Sequence, residues 1–276
     1  MQWIDAALLG LIQGVGEFLP ISSSGHLVLA RAWLGGDRVP QNLAFDALLH
    51  LATSLSVIVV FRREVLSMVR GVPVLLKPMR WRKSMSENHD FRMLVLVAMS
   101  AIPAVLVGVI FKRFLEGFRE RPDVVSVVLI GTGIWLLVAS RFRPGPRDAG
   151  VREAIAMGFA QSVSVFFPGF SRSGATIGTG LLCGVRREIV GPFAFLMSLP
   201  PNLGAAALKG KDVFNAEGNV VNYTAVIIGS AVAFAVGVAA LRWLLPFVRR
   251  GSLRPFGFYC LALGLVSTCH LVLHVF

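Results

Sequence analysis

Six apolar stretches of this chain are long enough, or nearly so, to cross a lipid bilayer as helices. A bilayer core about 30 Å thick needs roughly 20 apolar residues in helical form. The stretches are residues 44–61, 93–111, 124–140, 189–208, 220–241 and 255–276. Only 15% of the 276 residues are charged, against about 25% in ordinary soluble domains. The sequence therefore predicts an all-α polytopic integral membrane protein and excludes a soluble globular domain.

Two further apolar regions, residues 3–34 and 154–185, are interrupted near their middle by Pro, Gly, Ser and charged residues. At about 1.5 Å per residue, each half of such a region reaches only about halfway across the bilayer core. We expect both regions to form re-entrant helix-loop-helix hairpins. Irregular backbone at that depth is tolerated only where it is buried in protein or lines a wet cavity. The two breaks therefore mark the expected functional site.

The two broken regions resemble each other in sequence. Residues recur at a spacing of 148 positions around both breaks, which indicates a duplicated unit. We expect one membrane domain, residues 1–276, made of repeat 1–150 and repeat 151–276, each with one hairpin and three spans. An odd number of crossings inverts the second repeat, as in many transporters. The matched residues include Gly10 with Gly158, Gln13 with Gln161, Phe18 with Phe166, and Pro20 with Pro168.

The net charge of +12 indicates orientation in the membrane. The basic residues lie between the apolar stretches, so they do not predict nucleic-acid binding. If alternate connections between the apolar stretches lie on the same side of the membrane, one side holds 18 of the 27 Lys and Arg residues. The positive-inside rule makes that side cytoplasmic. Both termini and the mouth of the first hairpin then face outward.

Glu17 and Arg172 are charged residues at the predicted hairpin tips, one from each repeat. A charge inside the bilayer is costly and suggests function by default. Because the planar guanidinium of Arg172 suits phosphate oxygens, the pair points to phosphate chemistry. The alternative is a structural ion pair that holds the two repeats together.

Small hydroxyl residues and glycines surround both charges. Such clusters cap helix N-termini, and a helix N-terminus is itself a site for anions. Two N-termini that converge with an arginine would form a phosphate-binding cradle. The candidate phosphate-binding residues are Ser22, Ser24, Gly25, Ser171, Ser173, Gly174 and Thr176.

The first break also carries metal-ligating and proton-transfer candidates. Glu17 and Gln13 offer hard oxygen ligands suited to Mg²⁺ or Ca²⁺. A hydroxyl such as that of Ser23 would attack the phosphate while His26 handles the proton, with Arg172 offsetting the developing charge. Spacing alone leaves open whether serine, histidine or water attacks.

Asp46 and His50 are further ionisable residues, four positions apart on one face of the next span. They are either accessory site residues or a buried polar contact between helices.

Three segments carry a family resemblance. They are Gln13-Gly-Val-Gly-Glu-Phe-Leu-Pro-Ile-Ser-Ser-Ser-Gly-His26, Phe45-Asp-Ala-Leu-Leu-His-Leu51 and Pro168-Gly-Phe-Ser-Arg-Ser-Gly-Ala-Thr176. They resemble the bacterial undecaprenyl-diphosphatase family of the bacitracin-resistance type, and the resemblance runs from residue 6 to the C-terminus.

This resemblance implies a multi-pass enzyme of the bacterial plasma (inner) membrane with an outward-facing, divalent-metal-dependent site. The enzyme would hydrolyse undecaprenyl diphosphate to the monophosphate, recycling the lipid carrier for cell-wall synthesis and giving resistance to bacitracin. Ser23 matches the family's proposed nucleophile, Glu17 and Gln13 its acidic motif, His26 its histidine and Arg172 its phosphate-binding arginine. Membrane lipids and the polyprenyl diphosphate are the expected partners, and a homo-oligomer is compatible with the sequence.

Two other functions compete with this hypothesis. A lipid-carrier flippase or transporter would use the same inverted-repeat architecture. An acid-phosphatase-like lipid phosphatase shares Ser-Gly-His and Ser-Arg fragments. However, Ser171-Arg172 is not followed by the histidine that the third motif of that family requires.

Overall fold

The computed structural model describes residues 2–34, 43–111, 121–142, 145–215, 223–250 and 252–275. All the longer elements in these ranges are helices, with a 3₁₀ turn at Pro78–Arg80 and one isolated bridge between Arg147 and Val185. In chain order the helices are α1 (Trp3–Gly16), α2 (Ser23–Leu34), α3 (Leu43–Val60), α4 (Arg62–Leu75), α5 (Trp81–Glu87), α6 (His89–Ile110), α7 (Pro122–Ala139), α8 (Val151–Phe166), α9 (Arg172–Leu182), α10 (Arg187–Leu196), α11 (Leu199–Asn215), α12 (Tyr223–Arg250) and α13 (Arg254–Val275).

The length and composition of these helices confirm a polytopic membrane protein. Among the described residues, five segments are long and apolar enough to cross a membrane, and a sixth is added if α3 and α4 are counted together. The pairs α1–α2 and α8–α9 occupy the two regions predicted as hairpins, and each pair is interrupted where polar residues interrupt the sequence.

The predicted span 189–208 is not one continuous helix. It corresponds to Arg187–Ala207, and α10 ends at Leu196 before α11 begins at Leu199. Pro200 and Pro201 are the second and third residues of α11. Proline lacks a backbone donor, so the carbonyl groups of Leu196 and Met197, four residues earlier, have no helical hydrogen-bond partner. Two consecutive prolines therefore account for the interruption in an otherwise apolar stretch.

Two other segments differ from the predicted boundaries. The sequence predicts that the span 220–241 stops before Arg242, yet α12 continues to Arg250, because Leu244 and Val248 beyond that arginine are buried in the hydrophobic core. The connection after α3 forms α4, which turns by 89° from α3. Both helical regions therefore extend beyond the apolar stretches that the sequence predicts.

Equivalent contacts occur in the two predicted repeats. The Asp5 carboxylate accepts a hydrogen bond from the backbone N–H of Gln2, and the Glu153 carboxylate accepts one from Gly150. α1 packs on α12, and α8 packs on α6, so the first helix of each half packs on a long helix of the other. The boundary at residue 150 stays a prediction.

The two breaks lie against each other at the centre of the bundle. Oγ of Ser173 donates to the backbone oxygen of Leu19 at 3.1 Å. Thr132 of α7 holds the second break, since its Oγ1 donates to the Gly169 oxygen and accepts from the Ser171 N–H. The predicted convergence of the two hairpin tips is confirmed.

Gly169→Ala is expected to lower the thermal stability of the purified protein. Gly169 has φ +98, and a Cβ atom there would lie 2.9 Å from the Val125 oxygen. The unfavourable φ and the overlap together should cost about 2 kcal/mol or more, measured as a fall in Tm in detergent. Gly131→Ala on α7 is the control, since its Cβ would meet nothing within 4 Å. Equal Tm values for the two variants would contradict this account of the break.

Candidate active site

Glu17 is the centre of a polar cluster between the two breaks. It follows α1 directly, and 5% of its side chain is exposed. Its Oε1 atom accepts a hydrogen bond from Nη2 of Arg172 at 2.5 Å, and its Oε2 atom accepts one from Oγ of Ser23 at 2.8 Å. The expected Glu17–Arg172 contact between the two halves is therefore present.

Asn202 joins this pair from the first turn of α11. Its side-chain oxygen accepts from Nη1 of Arg172, and its Nδ2 donates to Oε1 of Glu17 at 3.2 Å. The side chains of Glu17, Arg172 and Asn202 thus each form a hydrogen bond with the other two. Because Arg172 uses its two terminal nitrogens for different partners, its plane is fixed relative to the Glu17 carboxylate.

The opposite side of Glu17 is occupied by Gln13 and His50. Gln13 lies one helical turn earlier, and its Nε2 donates to Oε2 of Glu17 at 3.0 Å. The same Nε2 atom lies 3.0 Å from Nδ1 of His50, which in turn lies 3.3 Å from Oε2 of Glu17. His50 therefore belongs to the cluster, as the accessory-site hypothesis required.

The cluster borders a cavity of about 10 Å³, which has room for about one water molecule. The side chains of Arg172 and His50 are 21% and 30% exposed, against 5% for Glu17, and Arg172 lines the cavity. A diphosphate is larger than this cavity. It can reach Arg172 only if surrounding side chains move and the guanidinium exchanges a protein partner for a phosphate oxygen.

Two of the candidate phosphate-binding serines are helix caps. Oγ of Ser22 accepts from the Gly25 N–H, and Oγ of Ser171 accepts from the Gly174 N–H. Ser22 has φ 70, a conformation that costs a non-glycine residue of order 1 to 3 kcal/mol and tends to occur at functional sites. The capping alternative is therefore correct for Ser22 and Ser171. The N–H groups of Gly25 and Gly174 already donate to these serines, so they are not free to bind a phosphate.

The other candidates are divided between the cavity and the surrounding helices. Ser173 lines the cavity beside Arg172. Ser24 is exposed and lies 3.4 Å from the Ser22 hydroxyl. Thr176 donates to the backbone oxygen of Arg172. Of the seven residues proposed for the cradle, the structure places Ser173 alone on the cavity wall.

His26 lies on α2 but turns away from Ser23. Its Nδ1 atom is 2.8 Å from the Ser22 backbone oxygen, and its Nε2 atom is 2.8 Å from the Tyr259 hydroxyl. Because a carbonyl oxygen only accepts hydrogen bonds, Nδ1 carries a proton. Nε2 is paired with the Tyr259 hydroxyl, so both ring nitrogens have hydrogen-bond partners. The structure does not bring the histidine to the serine, whose hydroxyl donates to Glu17 instead.

Asp46 is separate from the cluster. It forms a two-pronged ion pair with Arg31 of α2, at 3.0 and 2.5 Å. The side chain of Arg31 is 8% exposed. Asp46 and His50 therefore have different roles despite their spacing, and the interhelical-contact alternative is correct for Asp46.

Sequence reasoning missed Asn202, Thr132 and Tyr259. Asn202 did carry a signal, because it is a polar residue directly after two prolines in an apolar stretch. Polar residues and prolines inside apolar regions also identified the two hairpin breaks. Thr132 and Tyr259 carried no local signal, since each lies in an apolar helix.

The donor set fits a divalent ion shared with substrate. Glu17 supplies a carboxylate, and Oε1 of Gln13 is a buried oxygen without a hydrogen-bond partner. Within the described part of the chain, no group of three or more His, Cys, Asp or Glu residues could hold a metal. Mg²⁺ commonly binds through one or two carboxylates together with substrate phosphates. Because Nε2 of Gln13 now faces Glu17, the two residues would hold such an ion once the Gln13 amide turns, with a diphosphate completing the site.

Comparison with known proteins gives one family model and relatives that share one name. Residues 6–266 match the family model described as bacitracin resistance protein BacA. Undecaprenyl-diphosphatase of Salinibacter ruber is 38% identical over 268 residues, covering 96% of this chain and 97% of the relative. Undecaprenyl-diphosphatase of Rubrobacter xylanophilus is 39% identical, covering 99% and 100%. Undecaprenyl-diphosphatase 4 of Bacillus thuringiensis is 32% identical over the full length of both chains.

Proposed function

The chain belongs to the bacitracin resistance protein BacA family, and we propose that its Glu17–Arg172 cluster removes a phosphate from undecaprenyl diphosphate. Relatives named undecaprenyl-diphosphatase align with nearly all of the chain. The chain is thus a membrane phosphatase, and the monophosphate that it regenerates returns the lipid carrier to cell-wall synthesis. No comparison supports the transport alternative.

The observation that carries the site assignment is the 2.8 Å hydrogen bond from Ser23 to Glu17. This is the distance at which a nucleophile and its general base lie. Glu17 accepts the hydroxyl proton while Ser23 Oγ bonds to the terminal phosphorus. The bond from that phosphorus to the bridging oxygen breaks, and undecaprenyl phosphate leaves. A water molecule then cleaves the phosphoserine and releases inorganic phosphate.

Arg172 stabilises the negative charge that builds on the phosphoryl oxygens. Its guanidinium is held between Glu17 and Asn202, so it is oriented before substrate arrives, and preorganised charge of this kind is a major source of rate enhancement. When a phosphate binds, the guanidinium exchanges at least one protein partner for a phosphate oxygen. That exchange releases the Glu17 carboxylate to act on Ser23.

A divalent ion, Mg²⁺ or Ca²⁺, would be held by Glu17, Gln13 and the diphosphate. It would supply further charge compensation for the phosphoryl oxygens. Gln13 is neutral, so the protein contributes a single carboxylate. Affinity for the metal should therefore be low without substrate and rise when the diphosphate is bound.

The site faces the outside of the plasma membrane in this proposal. The 18 basic residues assigned to the other side support that orientation. In this orientation the first hairpin, which carries Ser23, opens to the outside.

Phosphate release by purified protein tests the proposed function. In detergent, the wild-type chain should release one phosphate per undecaprenyl diphosphate, and a chelator should reduce the rate until Mg²⁺ or Ca²⁺ is restored. In sealed vesicles, a transporter would instead move the intact lipid without releasing phosphate. Movement of substrate without hydrolysis would overturn the proposal.

Ser23→Ala should lower turnover by at least a hundredfold while leaving Tm nearly unchanged, since the loss removes the nucleophile and one hydrogen bond. Ser126→Ala is a matched control, because Ser126 is also buried and donates to a backbone oxygen in α7. If Ser23→Ala keeps more than about a tenth of wild-type turnover, the nucleophile is His26 or a water molecule.

A further inference from the structure

The backbone turn that precedes Ser23 has an unfavourable conformation. Ser22 has φ 70, a left-handed geometry that persists in a non-glycine residue only where its surroundings impose it. The carbonyl group of Ser22 and the Cα atom of Ser23 belong to one planar peptide unit. The direction of the Ser22 carbonyl therefore fixes where the Ser23 side chain begins.

His26 holds this carbonyl with two donors. Its backbone N–H donates to the Ser22 oxygen at 3.1 Å, as in any helical turn, and its ring Nδ1 donates to the same oxygen at 2.8 Å. The end of α1 packs against the next residue, since a Cβ atom on Gly16 would lie 2.9 Å from the Cα atom of Ser23. These contacts leave the backbone of Ser23 little freedom to move away from Glu17.

Two consecutive residues of α13 contact the same break. The Tyr259 hydroxyl lies 2.8 Å from Nε2 of His26, and the two rings are nearly parallel, with an interplanar angle of 7° and centroids 5.6 Å apart. The next residue, Cys260, is buried, and its Sγ atom lies 3.8 Å from the backbone oxygen of Pro20. The last helix of the chain therefore fixes the His26 ring, which in turn holds the Ser22 carbonyl.

We propose that His26 and Tyr259 are positioning residues, which keep the Ser23 hydroxyl within hydrogen-bond distance of Glu17, and that His26 neither transfers a proton nor attacks phosphorus. This role rests on the proposed function, in which Glu17 accepts the Ser23 proton. Both ring nitrogens of His26 have partners, and neither partner belongs to the Glu17–Arg172 cluster. Because a displacement of about 1 Å can cost about a hundredfold in rate, a residue that fixes the serine turn has a large effect without touching the substrate.

Replacement of His26 by alanine and by asparagine tests this role. Asparagine carries a side-chain N–H close to the position of Nδ1, so it can donate to the Ser22 oxygen, but its amide is neither a base nor a nucleophile. His26→Ala should lower kcat about a hundredfold, with KM for undecaprenyl diphosphate within about twofold of wild type. His26→Asn should recover at least about tenfold of that loss. If His26→Asn folds, as judged by its Tm, and is as slow as His26→Ala, the imidazole itself takes part in the chemistry and the inference is overturned.

Tyr259→Phe tests the second residue, because it keeps the ring and removes the hydroxyl. We expect kcat to fall at least about threefold, as for the loss of one hydrogen bond, with KM unchanged. In the His26→Asn background the same change should have no further effect, since asparagine has no Nε2 for the tyrosine to hold. Tyr223→Phe is the matched control. Tyr223, the other tyrosine of the chain, is 72% exposed on α12, so its variant should keep the wild-type kcat.

The tyrosine variants also show which results contradict the inference. An unchanged kcat in Tyr259→Phe overturns it. An equal loss with and without His26→Asn overturns it too, because the tyrosine would then act independently of the histidine. Tyr259→Phe leaves the histidine in place, so it decides the question if His26→Asn fails to fold. Absence of phosphate release by the wild-type chain would instead refute the proposed function itself.

Discussion

Glu17→Gln is expected to lower the turnover of undecaprenyl diphosphate by about a hundredfold to ten-thousandfold, the range typical of a lost general base. Glutamine keeps the shape of glutamate and still accepts a hydrogen bond from Arg172. It cannot take the proton from Ser23, whose hydroxyl donates to Oε2 of Glu17, and it removes the single carboxylate of the proposed metal site. The measurement is the rate of phosphate release per folded molecule, at saturating Mg²⁺ and at saturating Ca²⁺.

Glu153→Gln is the control for this change. Glu153 accepts a hydrogen bond from the backbone of Gly150 at the start of α8, and a glutamine oxygen can accept the same bond. Turnover and Tm should both be retained. A Glu17→Gln variant with more than a tenth of wild-type turnover would show that Glu17 is only a structural partner of Arg172.

Arg172→Lys should lower kcat/KM at least a hundredfold, although the positive charge is kept. The guanidinium contacts Asn202 through one nitrogen and Glu17 through the other, and lysine has only one nitrogen to offer. An ammonium also lacks the planar fork that matches two phosphate oxygens. Each hundredfold corresponds to about 2.7 kcal/mol of transition-state stabilisation.

Arg186→Lys is the matched control for the arginine. Arg186 pairs with Asp148 at a position where both side chains are about half exposed, and such pairs contribute little to stability. That variant should keep wild-type activity. Near-normal turnover of Arg172→Lys would show that positive charge alone is sufficient and would refute the two-pronged contact.

The sequence by itself determined the fold class, the approximate extent of most spans and the two breaks that carry the candidate site residues. Apolar length is enough to predict a membrane helix, because the bilayer imposes one thickness on every span. Polar residues inside an apolar stretch are equally informative, because lipid does not tolerate unpaired backbone. For these reasons Glu17, Ser23 and Arg172 were identified as candidates before any contact was known.

Only the tertiary structure decided which partners these residues have. Asp46 and His50 share a helix face, yet one pairs with Arg31 and the other with Glu17. His26 lies three residues from Ser23 but contacts Tyr259, which is more than 230 positions away. Asn202 reaches the site from another helix after a proline break. Hydrogen bonds act over about 3 Å, so the choice of partner depends on how distant helices pack, and spacing along one helix does not encode that packing.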